Sequence, residues 1–442
     1  MILRSAATRI ARPPRAVNLI PVPGRPSRLT EALAFLVGFS IQFNVLMGGG
    51  GEGATAVGGG GFRLTDFLSA GAIALLCIYA FRPHRIMAVA IFAFGIGTLA
   101  LLRILDPLFW TDPRTEILCL HYFGYSLAGL YFALILRSRA TIDRFCWGLI
   151  IGMLLTVPIF IMQGLGYAST LVEYGLVPEY SQLLLYENSN LVRYAGLWGH
   201  PNDAGHVAAL SAAAGAYFTF VYRRYLPLGL TSLGLLAIFY FTQSRGSLLV
   251  SGVVLAVPIL FGARRKISIL HILVGLIVIG IVSLLLSQLD IVAYRFTDAE
   301  TGHNFSERIA STVAGLSLVL KNPLGMSVLY FQSILFYTVG VDSPHNGFIF
   351  FAAILGVAPF AVIIFVFATN LRHWHNDDAF FALFTFQICL TFMFEQMALS
   401  YCYALAICIL LGRAYLKTRF GAELITQTVV ARSFVTPRAR LR

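Results

Sequence analysis

Leu226–Gly262 reads LPLGLTSLGLLAIFYFT, then QSRG, then SLLVSGVVLAVPILFG. Two apolar runs flank a short polar break. Arg223-Arg224 precedes the first run, and Arg264-Arg265-Lys266 follows the second. Each run is continuously apolar and does not alternate, so it reads as a membrane helix and not as a barrel strand. Basic residues at both far ends and a polar turn between them describe a helical hairpin that enters and leaves a bilayer from one side.

The rest of the chain repeats this pattern. Runs of about 16–22 apolar residues, close to the length a bilayer core demands, recur from Leu29 to Leu416. The 442 residues are 58% hydrophobic and only 12% charged, with a mean hydropathy of +0.79. The fold class is therefore an all-α membrane protein. The expected spans are 29–47, 64–81, 86–103, 117–136, 145–163, 204–222, 226–242, 246–262, 267–288, 346–369, 379–395 and 399–416. That makes about twelve transmembrane helices at the length a bilayer requires. The last two come from dividing Phe380–Leu416 near Glu395–Ser400, because that stretch is too long for one span.

A net charge of +12 suits nucleic acid in a soluble protein. Membrane orientation explains it better here, since basic residues collect in cytoplasmic loops. With the N-terminus inside, 24 of the 32 basic residues fall in inner segments. The outer eight are Arg63, Arg103, Arg114, Arg193, Arg245, Arg295, Arg308 and Lys321. Both termini are then cytoplasmic. Residues 1–28 read as a basic disordered tail with no signal-peptide apolar core, 29–416 as the polytopic domain, and 417–442 as a second basic tail. The six cysteines lie in or beside apolar runs with no framework spacing, so free thiols are expected. Gly48–Gly61 lacks the Lys-Ser/Thr ending of a phosphate loop and reads as a flexible outer turn.

Loop lengths are lopsided. Inner loops are short, whereas outer loops 164–203 and 289–345 are long. Long loops in compact proteins are usually functional or disordered. The second contains Phe305–Leu320, an apolar and Ser-rich stretch that stops at Lys321-Asn322-Pro323. It is expected to form a helix lying on the outer surface.

Three polar motifs fall at outer helix starts. In Ser343-Pro344-His345-Asn346, Ser as N-cap and Pro at the first position would place His345 in the first turn of a span. The helix dipole there disfavours imidazolium, so His345 is either a neutral general base or simply a capping residue. In Gln243-Ser244-Arg245-Gly246, Arg245 beside helix-start N–H groups suits phosphate, with an interfacial anchor as the alternative. Arg308 is either a second phosphate ligand or a partner of Glu307 or another carboxylate. Arg193 and Arg295 are reserve cations for substrate binding, with a structural role as the alternative.

In Gly199-His200-Pro201-Asn202-Asp203, Asn202 or Asp203 is placed to cap the next helix. His200 and Asn202 either shape the site by hydrogen bonding or form a structural turn. His200 and His206 lack the spacing of a helical zinc pair, and no carboxylate, Cys or His cluster suggests a metal. Asp66, His121, His271 and Glu395 read as interface or buried hydrogen-bonding groups. Glu395, near the outer end of its span, draws the closest attention.

The ordered set resembles the O-antigen ligase and polysaccharide polymerase superfamily of bacterial membrane glycosyltransferases. The matching features are Arg193–Asn202 (RYAGLWGHPN), Thr242–Gly246 (TQSRG), Ser306–Arg308 before Asn322-Pro323-Leu324-Gly325, and His345-Asn346 followed by Gly356. The resemblance implies an inner-membrane enzyme with long periplasmic loops. It would move glycan from undecaprenyl diphosphate to a glycan or lipid A–core hydroxyl, without a metal ion or other cofactor. Arg245 and Arg308 would then hold the diphosphate and His345 would activate the acceptor. Asn346 would position its loop, and His200 and Asn202 would support the site. Membrane lipids and chain-length or export proteins are the further partners it suggests, and nucleic acid is not among them.

Polymerase and ligase share these motifs, with a surface or exopolysaccharide polymerase slightly preferred. A secondary transporter or flippase is the rival from another class. It fits less well, because no repeat is visible and the polar motifs sit at span ends rather than at the midplane.

Overall fold

The computed structural model describes residues 27–44, 46–47, 62–81, 86–87, 89–96, 113–178, 182–184, 192–261, 298–341, 344–371, 378–397 and 400–418. Tail residues 1–26 and 419–442, the Gly48–Gly61 run, span 267–288 and Arg295 lie outside these residues.

Helices dominate. They are α1 (Arg28–Gln42), α2 (Leu64–Ala80), α3 (Pro113–Ile135), α4 (Arg139–Gly164), α5 (Ala168–Glu173), α6 (Pro201–Tyr222), α7 (Tyr225–Thr242) and α8 (Arg245–Phe261). After these come α9 (Asp298–Lys321), α10 (Val328–Val339), α11 (Gly347–Leu355), α12 (Val357–Leu371), α13 (Ala379–Phe394) and α14 (Tyr401–Lys417). Two small antiparallel ladders accompany them. β1 (Leu46–Met47) pairs with β2 (Phe62–Arg63) across the ends of the Gly-rich run, and β3 (Gln182–Leu184) pairs with β4 (Val192–Tyr194).

Among the described residues α4, α6 and α7 are long and apolar enough to cross a membrane. The apolar helices α2, α10, α12 and α13, and α8 through Pro258, are shorter. Span 346–369 is not continuous: it breaks at Gly356 into α11 and α12. Gly356 has φ +89, and a Cβ there would meet the Leu324 carbonyl at 2.7 Å. The Val357 N–H donates to Pro323 O and the Met326 N–H to Ala353 O, so the loop after α9 is stitched into the break. The stretch Phe305–Leu320 is helical, within the longer α9 that runs from Asp298 to Lys321 and packs on α10 and α11. α10 was not anticipated. The division near Glu395–Ser400 falls where α13 ends and α14 begins.

Small residues decide how the helices meet. In a bilayer, helix association rests on close packing and polar contacts, which favours Gly, Ala and Ser at interfaces. α6 carries the run AALSAAAGA and is buried along most of its length, against α4, α7, α8 and α13. Gly205 faces Ser244 and Ser247, and Gly215 faces Thr231. α1 and α4 interlock at Gly38, Gly148 and Gly152. A Cβ on Gly148 would stand 2.2 Å from Phe35 O. α3 and α14 meet in the same way through Gly129 and Gly412.

The bundle has two chemically distinct ends. At one, Arg144 pairs with Glu31 at 3.2 Å, and Tyr217 and Tyr222 donate to Asp143. Asp378 pairs there with Arg413 and Lys417. These groups belong to segments that the charge pattern assigns to the inner side. The other end gathers the starts of α6, α8 and α11 and the end of α13.

Gly148→Ala forces α1 and α4 apart at a backbone contact, which costs about 1–3 kcal/mol. Gly71 in α2 has nothing within 4 Å of its would-be Cβ. Gly71→Ala gains up to about 1 kcal/mol of helix propensity. Thermal unfolding in detergent should separate the two variants in opposite directions, and equal midpoints would contradict the interlock.

Candidate functional site

His345 lies before α11, not within its first turn. The capping residue is Asn346, whose side chain accepts from the Ile349 N–H at 3.1 Å. The expected Ser343 N-cap is therefore displaced by three residues. His345 has φ +45, a left-handed conformation unusual for a side chain of this size. This turn carries the imidazole away from the helix and toward the α13–α14 link. Thr312 of α9 donates to Pro344 O at 3.3 Å and holds the turn from outside.

Glu395 is the C-cap of α13, outside the helix proper and only 7% exposed. Its Oε1 lies 3.2 Å from His345 Nδ1, and its Oε2 accepts from Asn202 Nδ2 at 3.1 Å. Burial opposes ionisation of this carboxyl. The His345 hydrogen bond and the charges of His345, His206 and Arg308 outweigh burial and hold it down at about 2.

Asn202 is fixed from both sides. Its Oδ1 accepts from Arg193 Nη2 at 2.6 Å, and its N–H donates to His200 Nδ1 at 3.2 Å. His200 is therefore the N-cap of α6, a role expected of Asn202 or Asp203. Arg193 sits on β4, opposite Leu183 of β3, and is buried. Its Nε donates to Thr242 O at 2.8 Å. Arg193 and Asn202 thus belong to a buried hydrogen-bonded network, which agrees with the structural alternative given for each.

Arg308 on α9 donates from Nη1 to Phe394 O at 2.8 Å, which sets it half-buried beside the Glu395 link. Arg245 opens α8 directly after the Gln243-Ser244 turn, where Gln243 is another non-glycine residue in the left-handed region at φ +51. Gly246, next in the chain, lies against His206 and Phe394. A Cβ there would meet His206 Nε2 at 3.3 Å, which keeps the start of α8 close to α6 and to the end of α13. Arg193, His200, Asn202, Arg245, Arg308, His345 and Asn346 consequently fall in one neighbourhood. Glu395 is at its centre, although sequence reasoning did not place it among the site residues. The available signal was a carboxylate at a polar break between two apolar runs.

Among the described residues no group of three or more His, Cys, Asp or Glu side chains is arranged to hold a metal ion. The arrangement offers a histidine oriented by a carboxylate, with two half-buried arginines at the same end of the bundle. Such a set suits proton abstraction beside a group that develops negative charge.

Residues 230–365 match the family model described as O-antigen ligase. The segment runs from α7 into α12 and contains Arg245, Arg308 and His345. It supports the resemblance to the O-antigen ligase and polymerase superfamily and a membrane glycan ligase or polymerase activity. Arg193, Asn202 and Glu395 lie outside it, yet fold onto it. No curated protein matches the chain.

Loss of the α11 cap in Asn346→Ala should cost about 1 kcal/mol, whereas Asn346→Asp keeps an accepting oxygen and most of the stability. Thermal unfolding reads the difference. An Ala variant as stable as the parent would mean that Asn346 is not the cap.

Proposed function

We propose that this protein is a glycosyltransferase acting on undecaprenyl-diphosphate-linked glycan at the periplasmic face of the inner membrane, joining glycan units as a surface-polysaccharide or O-antigen polymerase. The observation that carries this reading is the cluster formed by His345, Glu395 and Arg308 at the same bundle end as Arg245. Its chemistry matches the transfer. The acceptor hydroxyl oxygen attacks the anomeric carbon of the donor. The bond from that carbon to the phosphate oxygen breaks, and its electron pair leaves with undecaprenyl diphosphate. His345 Nε2 takes the hydroxyl proton, and Arg245 and Arg308 hold the diphosphate as its charge grows. The lipid-linked donor arrives already activated, so the chain needs no soluble nucleotide-sugar domain.

Transfer of finished glycan to lipid A–core is the second reading. The description of the matching family as O-antigen ligase favours it. Both readings use the same three residues and differ in the acceptor.

His345→Ala and Arg245→Ala should each abolish transfer in cells while the protein still inserts at native levels. Loss of one proton-transfer group costs about 10²–10⁴-fold in rate. Glycan profiles of the gene deletion then separate the readings. Single-repeat chains identify a polymerase, and long chains stranded on undecaprenyl diphosphate beside bare lipid A–core identify a ligase. Normal profiles in both point variants would remove the catalytic assignment.

A further inference from the structure

We infer that Arg193, Asn202 and Glu395 are positioning residues that form a one-way hydrogen-bond relay, which fixes His345 as the Nδ1–H tautomer and assigns proton abstraction to Nε2. This inference rests on His345 being the base of the proposed transfer.

The direction of the relay follows from donor and acceptor chemistry. A guanidinium only donates, so the Asn202 atom 2.6 Å from Arg193 Nη2 must be the carbonyl oxygen. That choice turns the Asn202 amide nitrogen toward Glu395 Oε2, at 3.1 Å. The other oxygen, Oε1, accepts from the Gln396 N–H at 3.3 Å and lies 3.2 Å from His345 Nδ1. A carboxylate only accepts, so in that contact the proton is on Nδ1. With the proton on Nδ1, the lone pair resides on Nε2. The Asn202 hydrogen bond and the nearby Arg308 guanidinium on α9 keep Glu395 in the accepting form.

The relay is anchored at its far end. Arg193 Nε donates to Thr242 O, the last residue of α7 before the Gln243–Gly246 motif. One arginine thus ties the turn that presents Arg245 to the orientation of the base. A planar donor with two separate N–H directions is needed for this, and a lysine ammonium does not reproduce it.

The polarity makes Glu395→Gln informative. With Asn202 still held by Arg193, the oxygen of the substituted amide faces Asn202 Nδ2 at 3.1 Å and gives up the longer Gln396 N–H contact at 3.3 Å. Its NH2 group then points at His345 Nδ1, which must accept. The imidazole is driven to the Nε2–H tautomer and loses its basic nitrogen. The comparable carboxylate-to-amide change in a serine-protease triad lowers kcat by about 10⁴.

The test uses the full-length protein in detergent, with lipid-linked glycan extracted from a strain lacking the gene. Expected for Glu395→Gln is a fall in kcat of about 10²–10⁴-fold with donor KM unchanged. Arg193→Lys should lower kcat, again at constant donor KM. A wild-type kcat in Glu395→Gln overturns the relay. So does Arg193→Lys that raises donor KM at unchanged kcat, because it makes Arg193 a substrate ligand. The tautomer itself is read without a relay variant. Nitrogen NMR of the histidine-labelled wild type, with His345 assigned from His345→Ala, should show Nδ1–H. An Nε2–H resonance overturns the inference even if no turnover is seen. Failure of the transferase reading looks different: neither the wild type nor His345→Ala converts glycan, whatever the tautomer.

Discussion

A buried carboxylate between two apolar helices must be matched by donors, and much of this site follows from that requirement. Glu395 caps α13 where the chain turns back into α14. An unpaired charge in such a place costs several kcal/mol or neutralises itself. Its oxygens instead receive His345 from the loop before α11 and Asn202 from the start of α6. Three segments distant in sequence are thereby held at one point. Arg308 reaches the same link from α9 by bonding the neighbouring carbonyl of Phe394.

Close backbone packing makes this convergence possible. α6 is lined with Ala, Gly and Ser, so α8 and α13 approach it closely. Gly205 opposite Ser244 and Ser247, and Gly246 opposite His206, bring the starts of α6 and α8 together. Larger side chains there would separate Arg245 from Glu395. The break at Gly356 serves a related purpose, because it lets the Pro323 loop bond into the gap and seats α9 against α11. The non-glycine positive φ values at Gln243 and His345 fall in the two turns that present polar groups. Strained turns of this kind often mark functional sites.

Much of this was legible in the sequence, and the rest fails for identifiable reasons. Hydropathy and charge pointed to the helical class, the two-ended distribution of polar groups, a helix in the second long loop with its stop at Lys321, and the break after Phe394. These depend on local composition. Capping was read one motif at a time and misjudged at both α6 and α11. Ser343-Pro344 looked like a helix start, but Asn346 competes as a cap and the positive φ at His345 turns the chain first. The split of α11 from α12 depends on a tertiary contact with Leu324 that no local pattern reveals. Arg193 and Asn202 were recognised as polar residues of interest, but their role depends on Glu395, some two hundred residues away in sequence. Pairings over such distances are decided by packing.

The most direct test of the account is conversion of lipid-linked glycan by the purified protein in detergent micelles, where no gradient exists. The account predicts joined or transferred glycan together with released undecaprenyl diphosphate. Unchanged glycan in micelles, with movement of the same lipid across sealed vesicles, would contradict it and identify a transporter.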